Sequence, residues 1–283
     1  MPSHSRTSHW SGLWRHPDFL KLWAGQSVSV FGTLITGVAL PIAAVLALRA
    51  TPAQVALIYA AQIAPRLALA LPAGALADRL RRRPLLIAAD VGRGLALASV
   101  PLAAALGALS LPLIYAVTLV VSALSAVFDT AWPAYLPTLI GRERLLEGNA
   151  KLGASLAVAE AAGFGLAGIL AQLFTAPGAI VVDVATYVVS VISLGAIRMP
   201  EPAPKRAEAA SGGLSAWRAE VAEGLRLTWR SPTLRALAGA GAVRALGGGI
   251  IETTLLIFIL RDLRIAPAVM GLIFGLGGVT SFV

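Results

Sequence analysis

The chain contains no cysteine, which excludes disulfide bonds and thiolate metal sites. Its three histidines, His4, His9 and His16, all precede the first long apolar run, so none of them can act as a ligand or proton relay inside a membrane. The sequence also lacks the motifs of zinc proteases, serine hydrolases and Walker-type ATPases. We therefore predict no enzymatic activity, no cofactor and no metal site.

Charged residues are scarce as well. They make up 13% of the chain, whereas soluble domains average about 25%. Apolar residues make up 57%, and the mean hydropathy is +0.79. Such a chain has too little polar surface to cover a soluble globule, which predicts an all-α integral membrane protein surrounded by a lipid bilayer.

Long apolar runs recur from the leader to the end of the chain. Runs of about 20 residues are long enough to cross a bilayer core as helices, and proline or glycine marks most joints between them. Proline and glycine within the runs are compatible with membrane helices, because neighbouring helices satisfy the freed backbone groups. The predicted spans cover residues 24–48, 53–76, 85–107, 112–135, 150–174, 178–197, 235–260 and 268–283.

One long connection divides these spans into two groups. It begins with a linker rich in proline and alanine and continues as an amphipathic helix, with Leu214, Trp217 and Leu225 on the face opposite Arg218 and Glu223. The predicted organisation is a cytoplasmic leader at 1–23, a six-helix bundle at 24–197, a linker with the amphipathic helix at 198–234, and the start of a second bundle at 235–283.

The net charge of +9 could indicate nucleic acid, but the distribution of lysine and arginine argues against that partner. Seventeen of these residues fall in the leader and in the joints around 77–84, 136–151 and 198–235. The opposite joints hold only Arg49, Arg261 and Arg264. This asymmetry follows the positive-inside rule and predicts a cytoplasmic N-terminus in a cell membrane.

The last predicted span stops at Val283 without a polar residue or cap after it. About 16 residues are short for a bilayer-spanning helix. We therefore expect the chain to be truncated at its C-terminus, as a fragment or a shortened reading frame would be.

The joint between the second and third spans carries a distinctive motif. A glycine there permits close helix packing, an acid lies at a helix end, and a basic cluster can bind anionic headgroups. A generic positive-inside loop would account for the basic cluster alone. The motif consists of Gly74, Asp78, Arg79, Arg81, Arg82 and Arg83.

This motif resembles the signature of major facilitator superfamily transporters between their second and third helices, where glycine is usual in place of Arg81. Other segments resemble the branch that holds macrolide-efflux and enterobactin-exporter-like proteins. They are Pro65-Arg66-Leu67, the Ala89-Asp90 pair with Arg93, the segment 128–137, and Glu147 to Ala150.

The resemblance covers essentially the whole chain and implies a major facilitator fold, comprising the first six-helix bundle and two helices of the second. Family members normally have twelve spans, so about four would be missing here. Two departures stand out: that branch often has an acid where this chain has Thr33, and the antiporter signature of span five has Gly-Pro where this chain has Gly163-Phe164.

Ionisable residues within spans are candidates for function, because each costs at least ~2.5 kcal/mol to insert. Several lie within two turns of the predicted cytoplasmic helix ends and could form an ion-pair gate that locks one conformation. The alternative is a static set of salt bridges. The predicted gate comprises Gly74, Asp78, Arg79, Arg82, Arg83, Asp90, Arg93 and Asp129.

A second group of polar residues lies deeper in the predicted spans. Glu160 is the first candidate for a protonatable coupling residue, unless Arg66 neutralises it permanently. Arg244 and Glu252, eight residues apart in span seven, could face the transport cavity. Gln26 either lines a cavity or makes an ordinary contact between helices. Asp183 is predicted to be hydrated, because it lies near the outer end of span six.

Together these features predict a secondary active transporter that exports small amphipathic compounds, such as drugs, macrolides or siderophores, in exchange for protons. The predicted partners are the small-molecule substrate, protons and the lipid bilayer, with no nucleic acid and no protein partner. The alternative is a truncated or degenerate membrane protein that does not transport.

Overall fold

A computed structural model describes residues 12–202 and 213–280 of the chain. Within these ranges the regular structure is entirely helical, with no strand. Short 3-10 turns at Leu13–Arg15 and Arg142–Arg144 and a π-helical turn at Phe258–Asp262 accompany the α-helices. The α-helices are α1 Pro17–Leu46, α2 Pro52–Arg79, α3 Arg82–Ala105, α4 Leu111–Ile140, α5 Leu145–Phe174, α6 Ala176–Gly195, α7 Gly213–Arg230, α8 Pro232–Ile257 and α9 Pro267–Thr280.

Seven helices of the described chain, α1 to α6 and α8, are long and apolar enough to cross a membrane. This confirms the predicted all-α membrane class. The eighth predicted span corresponds to α9, whose described part has 14 residues, while residues 281–283 of that span lie outside the described chain. The amphipathic segment predicted after the linker forms α7.

The first helix starts earlier than the predicted span at 24–48. It begins at Pro17, because the Nδ1 atom of His16 accepts a hydrogen bond from the backbone N–H of Phe19 at 3.1 Å and proline suits the first helical position. The carboxylate of Asp18, in the first turn, accepts hydrogen bonds from the backbone N–H groups of Arg198 and Met199, which follow α6. The charges at this end are therefore tertiary contacts of α1, whereas the sequence assigns them to a leader.

The helices pack into a bundle with two ends. We call the end that carries the connections at 80–81, 141–144 and 196–202 the basic end, and the one with the loops at 47–51 and 106–110 the opposite end. Helix α6 packs against α1 and α3, α4 packs against α2 and α3, and α5 packs against α1 and α9.

Two apolar cores follow the two ends. The core at the basic end contains residues of the first six helices and their flanks, such as Phe19 and Tyr135. The core at the opposite end also includes Leu256 and Met270, from α8 and α9. There the guanidinium of Arg261 donates a hydrogen bond to the carbonyl oxygen of Ala50 at 2.6 Å. Helices α8 and α9 are thus joined to the first six helices chiefly at the opposite end.

Glycines let α1 and α6 approach closely. A Cβ atom at Gly32 would overlap the hydroxyl of Thr186 and the carboxylate of Asp183, whereas a Cβ atom at Gly37, on the same helix, would meet nothing within 4 Å. The approach at Gly32 determines which face of α6 is buried, because small residues at helix crossings allow the backbones to come together.

We expect Gly32→Ala to lower the unfolding free energy by about 1–3 kcal/mol, the usual cost of overpacking. Gly37→Ala is expected to be neutral or stabilising, because alanine is favoured over glycine within helices by roughly 0.5–1 kcal/mol. Thermal unfolding of both purified variants in one detergent measures the difference. Equal midpoints for the two variants would contradict the tight α1–α6 contact.

Candidate functional site

A stripe of polar side chains runs along the buried face of α6. Asp183, Thr186, Tyr187 and Ser190 recur three or four residues apart, so they share one face of the helix. All four are buried. Similar stripes occur on the inner faces of α3, with Asp90 and Arg93, and of α4, with Thr118, Ser122 and Ser125. The interior of the bundle is therefore polar at this level, although each helix as a whole is apolar.

Asp90 and Arg93 form a fully buried ion pair on α3. The Nη2 atom of Arg93 donates a hydrogen bond to Oδ1 of Asp90, and the hydroxyl of Ser190 donates to Oδ2 of Asp90 at 2.6 Å. The Nη1 atom of Arg93 lies 3.4 Å from the Ser125 hydroxyl. These bonds connect α3 to α4 and α6, and a buried ion pair requires such additional partners to offset its desolvation.

Two aromatic rings lie against the guanidinium of Arg93. The guanidinium carbon of Arg93 lies 4.3 Å from the ring centre of Phe128 and 4.7 Å from that of Tyr187. Arginine stacks favourably on such ring faces, particularly where water is excluded. Arg93 is therefore fixed between α4 and α6 by packing as well as by charge.

Asp183 is the second buried acid of this region. Its side chain is completely buried, and its Oδ1 atom accepts a hydrogen bond from the Thr186 hydroxyl at 3.0 Å. The Thr36 hydroxyl lies beside the carboxyl group, outside the geometry of a full hydrogen bond, and within the described chain Oδ2 accepts none. The prediction that Asp183 is hydrated is wrong, because the glycine contact at Gly32 turns this face of α6 against α1.

A cavity of about 490 Å³ adjoins this polar cluster. It lies near the middle of α1, α2, α4 and α6, and Ala245 of α8 closes part of its wall. Its polar lining comprises Thr33, Thr36, Gln62, Arg66, Thr118, Ser122, Ser125, Asp183 and Tyr187.

A second cavity of about 310 Å³ shares Thr33, Gly37 and Gln62 with the first. It extends towards α8 and α9, where Glu252 forms part of its wall. The hydroxyls of Thr33 and Tyr187 lie 3.3 Å apart, at the boundary of the first cavity. The two spaces together connect the interior of the six-helix bundle with α8.

In this conformation the structure divides the predicted gate residues into separate groups. Asp90 and Arg93 form the buried pair, but Asp129 lies against Arg66, with Nη2 and Oδ2 3.7 Å apart and the side chains 55% and 48% exposed. Asp78 is exposed. A Cβ atom at Gly74 would make an ordinary contact with Thr130 at 3.9 Å, so the predicted need for glycine does not arise in this conformation.

The basic cluster of the motif contacts the segment after α6. The carboxylate of Glu201 accepts the backbone N–H groups of Arg82 at 2.6 Å and Arg83 at 3.0 Å, which caps the first turn of α3. The guanidinium of Arg83 donates to the carbonyl oxygens of Leu194 and Gly195. These contacts tie the start of α3 to the end of α6.

We expect Glu201→Ala to lower the unfolding free energy by about 1 kcal/mol, because two backbone N–H groups lose a charged cap. Glu143→Ala, at an exposed position of the same end, is the matched control. Limited proteolysis in detergent is the measurement. We expect the peptide bonds between Arg81 and Arg83 to be cleaved faster in Glu201→Ala than in the wild type, and at the wild-type rate in Glu143→Ala. Equal cleavage rates would show that this cap contributes nothing.

The other predicted polar residues lie around the cavities. Glu160 is half-buried on α5, and Arg66 is paired with Asp129 rather than with Glu160. Glu252 lines the second cavity, whereas Arg244 is exposed on α8. Gln26 lines a third cavity of about 240 Å³, together with Trp132 and Asn149.

The sequence prediction did not include Asp183, Thr186, Tyr187 and Ser190 among the candidate site residues. Their spacing of three, one and three positions was the available signal, since it places four polar groups on one face of an apolar helix. Such a stripe indicates a face that points to the bundle interior.

The comparisons with known proteins agree with this architecture. A model of the transmembrane secretion effector family, which is of the major facilitator type, matches residues 7–283. No curated protein and no solved structure shows a significant match to the chain. Because the family match extends over nearly the whole chain, this multi-pass membrane protein belongs to the transmembrane secretion effector family of major facilitator transporters.

Proposed function

We propose that the protein is a secondary active exporter that moves small amphipathic compounds out of the cytoplasm in exchange for protons. The observation that carries this proposal is the cavity of about 490 Å³ among α1, α2, α4 and α6. Substrate sites of secondary transporters lie near the bilayer midplane. A wall of hydroxyls, one arginine and aliphatic side chains suits a compound with an apolar body and a few polar groups.

The packing of α8 and α9 supports an alternating-access mechanism. Such a mechanism requires one end of the protein to close while the other gives access to the site. The contacts of Leu256, Met270 and Arg261 with the first six helices all lie at the opposite end. We propose that this is the outer end and that the basic end faces the cytoplasm, as the arginine distribution predicts.

The membrane location and the substrate class that we propose follow from the resemblance of the sequence to macrolide and siderophore exporters. We propose a bacterial inner-membrane location with a cytoplasmic N-terminus, and substrates like those of macrolide and siderophore exporters.

We also propose that the gate acts when the basic end closes. Asp78, exposed here, would then gain a basic partner, while the half-exposed pair of Arg66 and Asp129 would separate at a cost of about 0–1 kcal/mol.

An efflux assay with a cavity-filling variant tests the proposal. Gly37 lines both the cavity of about 490 Å³ and the one of about 310 Å³, and a Cβ atom added there meets nothing within 4 Å. Gly37→Trp should therefore place its ring in the cavity space, and Gly37→Ala, which adds only the Cβ atom, is the matched control. Cells that lack their own exporters would express each variant. Retention of a macrolide, a catecholate siderophore and a cationic dye would be measured with and without a proton uncoupler.

We expect the wild type and Gly37→Ala to lower retention of at least one compound, and the uncoupler to abolish that effect. Gly37→Trp should reach the membrane in equal amount and export none. Equal retention in cells with and without the protein would favour a non-transporting membrane protein and would overturn the proposal. Export that persists in Gly37→Trp would show that the cavity is not the substrate path.

A further inference from the structure

We propose that Asp183 is the group that binds and releases the coupling proton, while the neighbouring Asp90–Arg93 pair stays ionised. This assignment deepens the exporter function proposed above and rests on it for the proton's role in transport. The sequence alone favours Glu160 for this role, but Glu160 is not among the residues that line the cavity of about 490 Å³, whereas Asp183 is.

The charges around Asp183 leave one acid without a cation. Within the described part of the chain, two buried carboxylates, Asp90 and Asp183, lie near one guanidinium, that of Arg93. The carboxylate of Asp90 forms the ion pair with Arg93 and accepts a hydrogen bond from the Ser190 hydroxyl. The carboxylate of Asp183 accepts one hydrogen bond, from Thr186. A buried carboxylate without a cation is expensive, and proton uptake removes that cost. The geometry therefore assigns the exchangeable proton to Asp183.

Among the described residues, the other elements packed on α6 place no cation beside Asp183, and Arg66 of α2, which lines the same cavity, is paired with Asp129. Helix α1 presents Gly32 and the Thr36 hydroxyl to the Asp183 carboxyl group. Helix α5 contributes Ala167 and Ala171 to the apolar core that also contains Ala179 and Ile180 of α6. Arg93 is the nearby cation, and stacking between two rings together with the Asp90 pair holds it in place.

The cavity provides the route for the proton. Asp183 and Tyr187 form part of its wall, together with the hydroxyls of Thr33, Thr118 and Ser122. Asp183 belongs to the wall of this space of about 490 Å³, but its Oδ2 atom is buried and accepts no hydrogen bond from the described residues, so proton exchange with water there requires a small movement of the side chains around the carboxyl group. On uptake, an O–H bond of a hydronium ion breaks as the O–H bond of the carboxyl group forms, which leaves a water molecule, and release reverses the two changes.

Protonation also alters the force between α6 and α3. The formal charge of Asp90, Arg93 and Asp183 together changes from minus one to zero when Asp183 takes up the proton. The attraction between Asp183 and Arg93 is then lost, and the protonated carboxyl group becomes a donor that can bond Thr36 on α1. Protonation thus weakens the attraction between α6 and α3 and adds a hydrogen bond between α6 and α1. We propose that this change couples proton binding to the movement of α6.

Infrared difference spectroscopy of the purified protein in lipid vesicles tests the assignment. The C=O stretch of a protonated, buried carboxyl group is recorded as the pH is raised and lowered. We expect a titrating band in the wild type, its loss in Asp183→Asn, and its retention in Glu160→Gln. Asp183→Glu should keep a titrating band at a shifted frequency, and it provides the reading if the asparagine variant does not fold. A band that persists in Asp183→Asn, or that disappears only in Glu160→Gln, would overturn the assignment.

This measurement separates the proton site from the exporter function, because it requires no substrate. A titrating band that depends on Asp183, found in a protein that exports nothing, would keep the proton site and reject the exporter function. If the wild type exports a compound, Asp183→Asn should lose the pH dependence of that export in vesicles, and Glu160→Gln should keep it. Unchanged pH dependence in Asp183→Asn would reject the coupling role.

Discussion

Arg93→Met is expected to lower the unfolding free energy by about 3–5 kcal/mol, the usual cost of removing one partner of a buried ion pair. The substitution keeps a long apolar side chain between Phe128 and Tyr187 but leaves two buried carboxylates without a cation. Denaturation in detergent, followed by tryptophan fluorescence, measures the change.

Arg66→Met is the matched control, because Arg66 also contacts a single acid from within a span. Its partner Asp129 is 3.7 Å away, and both side chains are about half exposed. Exposed pairs contribute about 0–1 kcal/mol, so this variant should unfold almost like the wild type. Equal losses in the two arginine variants would contradict the special position of the Arg93 pair.

A double variant separates the charge from the shape of the site. Asp90→Asn in the Arg93→Met background removes one of the two uncompensated charges and keeps the hydroxyl contact of Ser190. Because the main cost in the single variant is a buried charge, part of the lost stability should return. Arg93→Lys should lie between Arg93→Met and the wild type, since lysine keeps the charge but loses the planar group that stacks between the rings.

The fold of this protein could be predicted from the sequence to a large extent. A run of about 20 apolar residues has few structural solutions in a bilayer, because every backbone polar group must be satisfied within the helix. The helices α2 to α6 and α8 therefore begin and end within a few residues of the predicted spans. The exception is α1, where Asp18 and Lys21 bond the end of α6 and extend the helix beyond the apolar run.

The site was less predictable, because it depends on which helix faces meet. The sequence identified Asp90 and Arg93 as charges within a span, and the structure pairs them. Distance along α6 suggested that Asp183 is shallow, yet its burial depends on sideways contact with α1 at Gly32. Pairing between spans, such as Arg66 with Asp129, likewise depends on helix rotation, which hydropathy does not fix.

The contact between α5 and α9 provides the second large expected effect. A Cβ atom at Gly168 would overlap the carbonyl oxygen of Pro267 and lie 3.0 Å from the Cα atom of Gly271. These neighbours are backbone atoms, which cannot rotate away as a side chain can. Gly168→Ala must therefore separate the two helices. A Cβ atom at Gly165, one turn earlier on α5, would meet its nearest neighbours at 3.8 and 3.9 Å, which is ordinary contact.

Crosslinking measures this separation cleanly, because the chain has no cysteine of its own. The rings of Phe164 and Phe274 lie 6.4 Å apart across the α5–α9 contact, so cysteines at these two positions should react with a short bifunctional thiol reagent. We expect the crosslinking yield to fall severalfold when Gly168→Ala is added and to stay unchanged with Gly165→Ala. Alanine favours the helix by roughly 0.5–1 kcal/mol at both positions, so a loss confined to Gly168 can come only from the crossing. Helix α9 contacts the first six helices mainly through α5. If the proposed outer end closes during transport, Gly168→Ala should therefore also abolish export. Undiminished crosslinking in Gly168→Ala would mean that α5 and α9 do not meet at these glycines.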